Sequence, residues 1–231
     1  MYDREGIAMK LYHGSDVIVK KPEYGKGKTN NDYGRGFYCT ENLDLAREWA
    51  VDENRDGYVN SYEFDISGLK VIDLNSGDYC LLHWITMLLQ NRRFELDSPL
   101  AQEAYSYLCE RFSLNVSDAD VIKGYRADDS YFSYAQDFVN GQISVPQLAK
   151  AIRLGDLGEQ MMIRSRMAFK NLKFASCEGV AASEWYCKKQ SHDKAARDAY
   201  HIMNRSDYRR GELYMVHIID EEVGPDDARL Q

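Results

Sequence analysis

The sequence predicts an α+β fold, in which short strands with one buried face surround a helical middle segment. Residues 58–66 alternate between apolar and polar side chains with a period of two, which is typical of a half-buried strand. Residues 80–94 are apolar on most helical faces, so they predict a buried helix. Ser98 followed by Pro99 marks a helix start, because serine caps helices and proline fits their first position.

The other elements follow from the same patterns, taken in chain order. Apolar runs and alternation predict short strands at 10–13, 70–74, 118–125, 159–164, 172–176 and 212–219. Capping residues and helical spacing predict helices at 42–51, 98–112, 129–141, 144–155 and 193–205. The glycine- and lysine-rich stretch 20–36 is expected to form a long loop.

Composition restricts the class of protein. The 231 residues carry 44 % apolar side chains, which suits one folded domain or one domain with an appendage. The net charge of −8 argues against a broad nucleic-acid-binding surface. We recognise no secretory signal and no apolar run of about 18 residues, so no membrane association is expected. The five cysteines are scattered without a C-x-x-C spacing, which favours a reducing, cytoplasmic setting.

Three short segments near the start of the chain combine residues suited to holding a planar amide. These segments are 11–15 (LYHGS), 32–38 (DYGRGFY) and 45–50 (LAREWA). Gly14 lacks a side chain, so its backbone N–H and C=O can approach a ligand closely and pair with both sides of a carboxamide. Ser15 adds a hydroxyl group. Tyr38 and Trp49 could sandwich a cationic pyridinium ring by stacking and cation–π attraction.

The order of these motifs resembles the diphtheria-toxin and poly-ADP-ribose-polymerase branch of the ADP-ribosyltransferase clan. That branch has an H-G-S or H-G strand, a G-x-G-[IF]-Y turn and a helix with a second aromatic residue. Here H-G-S stands at 13–15, G-R-G-F-Y at 34–38, and Trp49 takes the place of the second aromatic residue. Over residues 10–176 the chain resembles more closely a bacterial family of unknown function within that clan.

The resemblance implies a split β-sandwich, in which two small, mostly antiparallel sheets hold an NAD⁺ cleft between them. It implies an ADP-ribosyltransferase-like domain at residues 9–176, with a helical insertion at about 76–155. Residues 177–231 are expected to form a helix–strand extension that packs on the same domain.

The same resemblance assigns roles to individual residues. His13 would hydrogen-bond the 2′-hydroxyl of the adenosine ribose, and Gly14 with Ser15 would hold the nicotinamide amide. Tyr38 and Trp49 would stack on the nicotinamide ring. The NAD⁺-binding set implied in this way is His13, Gly14, Ser15, Gly36, Phe37, Tyr38 and Trp49.

The third motif departs from the pattern of the branch, which often has a glutamate at the start of a late strand to hold the nicotinamide ribose and stabilise positive charge. Here that place falls on Glu159 and Gln160, and the strand register favours Gln160. Either Glu159 reaches the site, or the amide of Gln160 suffices, or the target supplies the charge, or the protein binds NAD⁺ without turnover. The catalytic set implied is His13, Tyr38 and Gln160, and the candidates for the acceptor side are Arg126, Asp128 and Glu159.

The expected function is mono-ADP-ribosyl transfer from NAD⁺, used as a co-substrate, to a macromolecule, and no metal is expected. The acidic net charge favours a protein acceptor over a nucleic acid. The resemblance implies a bacterial toxin or effector as a natural setting, and such a protein can have a neutralising partner. Two alternatives stay open, namely an NAD⁺ glycohydrolase with water as acceptor and a non-catalytic module that binds NAD⁺ or ADP-ribose.

Two further patterns point less specifically to a ligand. Residues 52–63 match the calcium-loop pattern D-x-[DN]-x-[DN]-G-x₅-E, but the strand-like alternation at 58–66 leaves no room for the exiting helix, so coincidence is favoured. Residues 23–28 (EYGKGK) lack the full phosphate-loop pattern. We hypothesise that this segment is a loop over the active site, in which Lys26 and Lys28 contact the donor or the target.

Overall fold

The computed structural model describes residues 8–127, 129–154, 158–204 and 208–230, and within these ranges it contains two sheets and eight α-helices. The strands are β1 (Ala8–Ser15), β2 (Phe37–Cys39), β3 (Gly57–Asp65), β4 (Val71–Asp73), β5 (Val121–Tyr125), β6 (Glu159–Ile163) and β7 (Leu172–Val180). The helices are α1 (Leu43–Ala50), α2 (Leu81–Asn91), α3 (Pro99–Arg111), α4 (Asp129–Val139), α5 (Val145–Ala151), α6 (Arg166–Asn171), α7 (Ala182–Asn204) and α8 (Met215–Asp220).

The strands form two small sheets, which confirms the α+β class. The first sheet has the order β1-β3-β7 and is antiparallel throughout. The second has the order β2-β6-β5-β4, and only the β4–β5 pair in it is parallel. A backbone pair between Tyr12 and Thr40 links the edge of β1 to the residue that follows β2.

The two sheets pack on each other through a shared apolar core. Its buried members come from both sheets and from α6, and they are Leu11, Cys39, Tyr62, Phe64, Val121, Met161, Ile163, Ala168 and Leu172. A larger core lies between the second sheet and the helices α2 to α5 and α8. The range 76–155, expected to be a helical insertion, contains α2 to α5, but it also contains β5, which is a central strand of the second sheet.

Helix starts agree with the capping residues in the sequence. The Asn42 side chain accepts hydrogen bonds from the backbone N–H groups of Asp44 and Leu45, so α1 begins where the sequence predicts. Ser98 caps α3 in the same way, and Ser144 caps α5 through a capping box. The helix α7 begins at Ala182, eleven residues before the predicted start at 193. The sequence does not reveal its first turns, because they are largely exposed and show little apolar periodicity.

The predicted strand at 212–219 is wrong, because Met215–Asp220 forms the helix α8. Met215 and Ile218 are fully buried, whereas Val216 between them is 40 % exposed. Burial at a spacing of three residues matches a helical face and not the period of two that a strand requires. The short helix α6 had not been predicted at all.

The C-terminal segment packs on the rest of the chain. Tyr200 of α7 stacks on Tyr134 of α4 with ring centroids 3.8 Å apart, and its hydroxyl lies 2.5 Å from the Asp137 carboxylate. Leu213, Met215, Ile218 and Val223 belong to the larger core. None of the helices in the described ranges is long and apolar enough to cross a membrane.

Candidate functional site

An open cleft of about 900 Å³ lies beside the Tyr12–Thr40 backbone pair, and its size is in the range of small-molecule and cofactor sites. Eight residues of the predicted NAD⁺-binding, catalytic and acceptor-side sets line it, although they come from β1, the turn before β2, β2, α1, the segment after β5, and β6. They are His13, Ser15, Gly36, Phe37, Tyr38, Trp49, Arg126 and Gln160. The fold therefore brings most of the predicted site residues to one place.

His13 is held in a defined orientation and protonation state. Its Nδ1 lies 2.7 Å from the backbone oxygen of Tyr38, and its ring lies 4.3 Å from that of Phe37. A carbonyl oxygen only accepts, so Nδ1 carries the proton. Burial lowers the pKa of His13 from its usual range, with partial opposition from the bond to Tyr38. The imidazole is therefore neutral, and Nε2 is a hydrogen-bond acceptor on the cleft wall.

The hydroxyl of Tyr38 is used inside the turn that precedes it. It donates to the carbonyl oxygen of Gly34 over 2.7 Å and accepts from the Tyr33 N–H over 3.0 Å. Gly34 has a φ of 82°, a left-handed conformation that favours glycine. Burial raises the pKa of the Tyr38 phenol well above its usual range. Tyr38 therefore offers the cleft an aromatic ring and not a titrating hydroxyl.

Gly14 is required by packing as well as suited to a ligand. A Cβ at this position would lie 2.0 Å from the Ala46 oxygen and 2.7 Å from the Trp49 Cβ, so the missing side chain lets α1 rest on β1. Tyr12 directs its N–H and C=O to Thr40. Alternate residues of a strand direct these groups to the same edge, so those of Gly14 also point away from β3. Gly14 therefore presents a donor and an acceptor at the free edge of β1.

Trp49 and Arg126 form the wall on the α1 side of the cleft. The guanidinium carbon of Arg126 lies 5.3 Å from the centre of the Trp49 ring, which is a cation–π distance. The indole Nε1 of Trp49 is buried without a hydrogen-bond partner among the described residues. Buried donors are normally paired in native proteins, so this unpaired N–H is an exception in the wall of the cleft.

Gln160 lies deep in the cleft and is bonded to a carboxylate that the sequence did not single out. Its Nε2 donates to the Oδ2 atom of Asp32 over 2.7 Å. The same oxygen accepts from the Ala127 N–H over 2.9 Å, and Oδ1 accepts from Arg92 over 2.6 Å. Asp32 is 5 % exposed and lines the cleft, whereas Arg92 lies behind it. The back of the cleft therefore carries a buried negative charge.

Glu159 points to the other side of β6. Its carboxylate contacts the Asn75 amide at 2.6 Å and the Lys123 ammonium at 3.0 Å, and it does not line the cleft. The pleat explains this, because successive side chains of a strand face opposite ways. Of the options left open for the third motif, the geometry does not support Glu159 reaching the site. Asp128, the other acidic candidate for the acceptor side, lies outside the described residues.

The mouth of the cleft is basic although the chain is acidic. Four lysines line it, namely Lys20, Lys21, Lys26 and Lys28. Glu23, which also lines the mouth, pairs with Lys26 at 2.7 Å, whereas the other acidic lining residue, Asp32, lies at the back of the cleft. The loop that carries the lysines therefore borders the cleft, and its contact with the donor or the target stays a prediction.

The wall formed by residues 17–22 is fixed by a buried asparagine. Asn60 of β3 accepts from the Val19 N–H over 2.8 Å and donates to the backbone oxygens of His13 and Val17. Val17 and Ile18 are more than two-fifths exposed and face the cleft as an apolar strip. Sequence reasoning missed both Asn60 and Asp32, because their partners are distant in the chain.

The calcium-loop pattern at 52–63 lacks the exiting helix that such a loop needs. Glu63, its last position, stands in β3, where it pairs with Lys10 of β1 in the sheet register. In the described part of the chain no three His, Cys, Asp or Glu side chains are grouped to hold a metal ion.

Comparison with known proteins gives one match. A family model described as "Protein of unknown function (DUF3990)" matches residues 9–174, which is more than half of the chain. The match runs from β1 into β7 and includes every residue that lines the cleft. No curated protein and no solved structure matches the chain.

Proposed function

The chain belongs to the DUF3990 family of proteins of unknown function, and we propose that it binds NAD⁺ in this cleft and transfers ADP-ribose from it to a macromolecule. The observation that carries the proposal is the convergence of His13, Tyr38 and Trp49 on the cleft. Gly14 does not line the cleft itself but packs directly against Trp49. We also propose that the two packed sheets form the split β-sandwich of the ADP-ribosyltransferase clan.

The nicotinamide end of NAD⁺ fits between Tyr38 and Trp49. A cationic pyridinium gains stacking on the two rings and cation–π attraction. The edge of β1 supports this placement, because the N–H and C=O of Gly14 can pair with the two sides of the carboxamide. Ser15 also lines the cleft and offers a hydroxyl at the end of the strand.

The adenosine end fits beside His13. The neutral imidazole with its proton on Nδ1 leaves Nε2 to accept a hydrogen bond from a ribose hydroxyl. The apolar strip at Val17 and Ile18 suits the face of a purine base, and Asn60 holds that strip in place. The diphosphate between the two ends carries negative charge, which the lysines at the mouth complement.

The reaction follows from this placement. The bond between the ribose C1′ and the pyridinium nitrogen breaks, its electron pair goes to the nitrogen, and neutral nicotinamide leaves. The ribose then has oxocarbenium character, and a nucleophile of the acceptor forms a new bond to C1′ and releases its proton. Positioning and electrostatic stabilisation supply the acceleration in such a step. In this proposal Tyr38 and Trp49 hold the leaving group and Gln160 faces the developing positive charge, which its buried position in the cleft lining supports.

The acceptor that we propose is a protein. The overall charge of −8 disfavours nucleic-acid binding to the surface outside the basic mouth of the cleft. Arg126 remains a candidate for the acceptor side, because it borders the cleft next to Trp49. Water as acceptor would make the protein an NAD⁺ glycohydrolase. A site that only binds NAD⁺ would make it a binding module.

The experiment that tests the proposal measures nicotinamide release from NAD⁺ with and without cell lysate, together with transfer of label from adenine-labelled NAD⁺ to macromolecules. Release that depends on lysate, with label on a macromolecule, supports the transferase. Equal release without lysate and without labelled macromolecule supports the glycohydrolase. Tight NAD⁺ binding without release supports the binding module, and a folded protein that does not bind NAD⁺ contradicts the proposal.

Matched variants make this test specific to the cleft. His13→Ala and Gln160→Ala are expected to abolish release, because each removes a polar group that lines the site. The controls are His201→Ala, an exposed residue of α7, and Glu159→Gln, whose side chain points to the opposite face of β6. Both controls should release nicotinamide at the rate of the unmodified protein.

A further inference from the structure

We propose that Asp32 is the positioning residue of the reaction, and that it supplies through Gln160 the negative charge that the third motif lacks. This inference rests on the proposed function. A neutral amide at position 160 can orient a ribose hydroxyl but has no net charge to stabilise an oxocarbenium ion. Asp32 is the carboxylate that the fold places directly behind that amide, 2.7 Å from its nitrogen.

The contact fixes the orientation of Gln160. A carboxylate oxygen only accepts hydrogen bonds, so the NH₂ group of the amide must face Asp32 and Oε1 must face away from it. A donor bonded to a carboxylate is polarised, and the amide oxygen becomes a stronger acceptor. Gln160 is 4 % exposed, so this polarisation acts in a poorly screened environment. Asp32 thereby makes the amide a better partner for a ribose hydroxyl.

The charge of Asp32 is directed at the cleft. Arg92 donates to Oδ1 from behind, and its guanidinium also contacts the Ala127 oxygen and the ring of Phe132. Asp32 lines the cleft and Arg92 does not, so the ion pair forms a dipole with its negative end toward the ligand. Among the described residues, Arg92, Ala127 and Gln160 donate to the carboxylate. Such a bonded and buried group is preorganised for a charge that develops only during the reaction.

The experiment compares Asp32→Asn, Gln160→Glu and the double variant, with kcat and KM for nicotinamide release and the melting temperature of each protein. Asp32→Asn keeps the shape and removes the charge. We expect its kcat to fall by about tenfold to a hundredfold, with KM nearly unchanged. This loss is smaller than the roughly 10²- to 10³-fold for a group that contacts the reacting charge directly, because Asp32 acts through Gln160. The double variant carries its carboxylate at position 160 instead of position 32, so the negative charge is kept next to the ligand. We expect this variant to recover most of the lost kcat.

Gln160→Glu alone gives a second, independent result. It places two carboxyl groups in hydrogen-bond contact, and both cannot be ionised together. We therefore expect its kcat to acquire a step with pH that is absent from the unmodified protein and from the double variant. This arm also serves if Asp32→Asn does not fold, because Gln160→Glu leaves the Asp32–Arg92 pair intact.

The outcomes separate the role of Asp32 from the proposed function. A kcat of Asp32→Asn equal to that of the unmodified protein, or an unchanged pH profile in Gln160→Glu, overturns the role of Asp32 alone. A fall of kcat together with a rise of KM in a folded Asp32→Asn protein, without recovery in the double variant, assigns Asp32 a purely structural role and also overturns the proposal. An unmodified, folded protein that never releases nicotinamide overturns the proposed function and this role with it.

Discussion

His13 donates from Nδ1 to the backbone oxygen of Tyr38 over 2.7 Å, and this bond ties the first motif to the second across 25 residues of chain. It places the protonated nitrogen inside the protein and the acceptor nitrogen on the cleft wall. The consequence is a dependence on pH, because protonation of Nε2 converts the acceptor into a donor.

NAD⁺ affinity is predicted to fall as the pH drops below the usual range of histidine. Burial lowers the pKa of His13 in the folded protein, so as the pH falls the unfolded chain is protonated at His13 before the folded protein is. The contribution of the neutral His13 to folding stability is therefore complete above the ordinary histidine pKa of about 6.5, and it is lost as the pH falls through the lowered pKa. Titrations of NAD⁺ followed by tryptophan fluorescence between about pH 5 and pH 8 measure the change in affinity.

Two variants show whether His13 is the group responsible. His13→Asn should bind NAD⁺ weakly and without that pH step. His192→Gln should keep the step, although His192 pairs with Glu48 beside Trp49, at 2.6 Å. A loss of affinity at low pH that His13→Asn shows as fully as the unmodified protein would exclude the ribose contact at Nε2.

Trp49→Ala is predicted to weaken NAD⁺ binding by about five- to thirtyfold, which corresponds to about 1 to 2 kcal/mol for a lost stacking and cation–π contact. Trp49→Phe should keep much of the affinity, since a ring remains. The matched control is Trp185→Ala, because Trp185 of α7 packs under Arg47 and Lys188 outside the cleft. Calorimetry measures all three, and an equal loss in the control would contradict the stacking role.

Gly14→Ala is predicted to lower the free energy of unfolding by about 1 to 3 kcal/mol, the usual cost of overpacking, and to weaken NAD⁺ binding as α1 moves. Gly57→Ala should lower stability and NAD⁺ affinity in the same way, because its Cβ would lie 1.9 Å from the Ala50 oxygen, which also belongs to α1. Gly179→Ala, in the same sheet, adds a Cβ with no atom within 4 Å and should be nearly neutral. Urea unfolding measures the stability. If Gly14→Ala lost NAD⁺ affinity while Gly57→Ala kept it, the backbone contact and not α1 would be the cause.

Replacing Lys26 and Lys28 together by alanine is predicted to weaken the binding of NAD⁺ but not the binding of nicotinamide riboside, which has no phosphate. The lysines line the mouth of the cleft, and Lys26 also pairs with Glu23 in an exposed contact. The loss for NAD⁺ should shrink with added salt, since exposed charges are screened. Competition binding of the two ligands measures it. Lys188→Ala, on the outer face of α7, is the control, and an equal loss for both ligands would argue against a diphosphate contact.

Most element types could be predicted, because they depend on contacts within a few residues. The Asn42 cap and the apolar sequence of α2 are local features, and the structure agrees with both. The strand β3 also forms as predicted, but its burial does not alternate, because residues 59–62 are all buried around a bulge and Tyr58 is exposed. The three misjudged segments are the missed helix α6, the start of α7, and α8, and all are short or have weak or ambiguous apolar periods. Burial in the final fold decided their structure, and a local pattern does not contain that information.

The sequence by itself determined the residues that make the proposed nicotinamide site, since H-G-S and G-R-G-F-Y are contiguous motifs whose spacing is readable. Only the tertiary structure decided the electrostatics behind them. Asp32 meets Arg92 and Gln160 across 60 and 128 residues, and the pleat of β6 turns Glu159 away while it turns Gln160 inward. Contacts between distant segments depend on how the two sheets and α2 pack. A local sequence pattern therefore does not predict that the Asp32 carboxylate is buried beside the Gln160 amide.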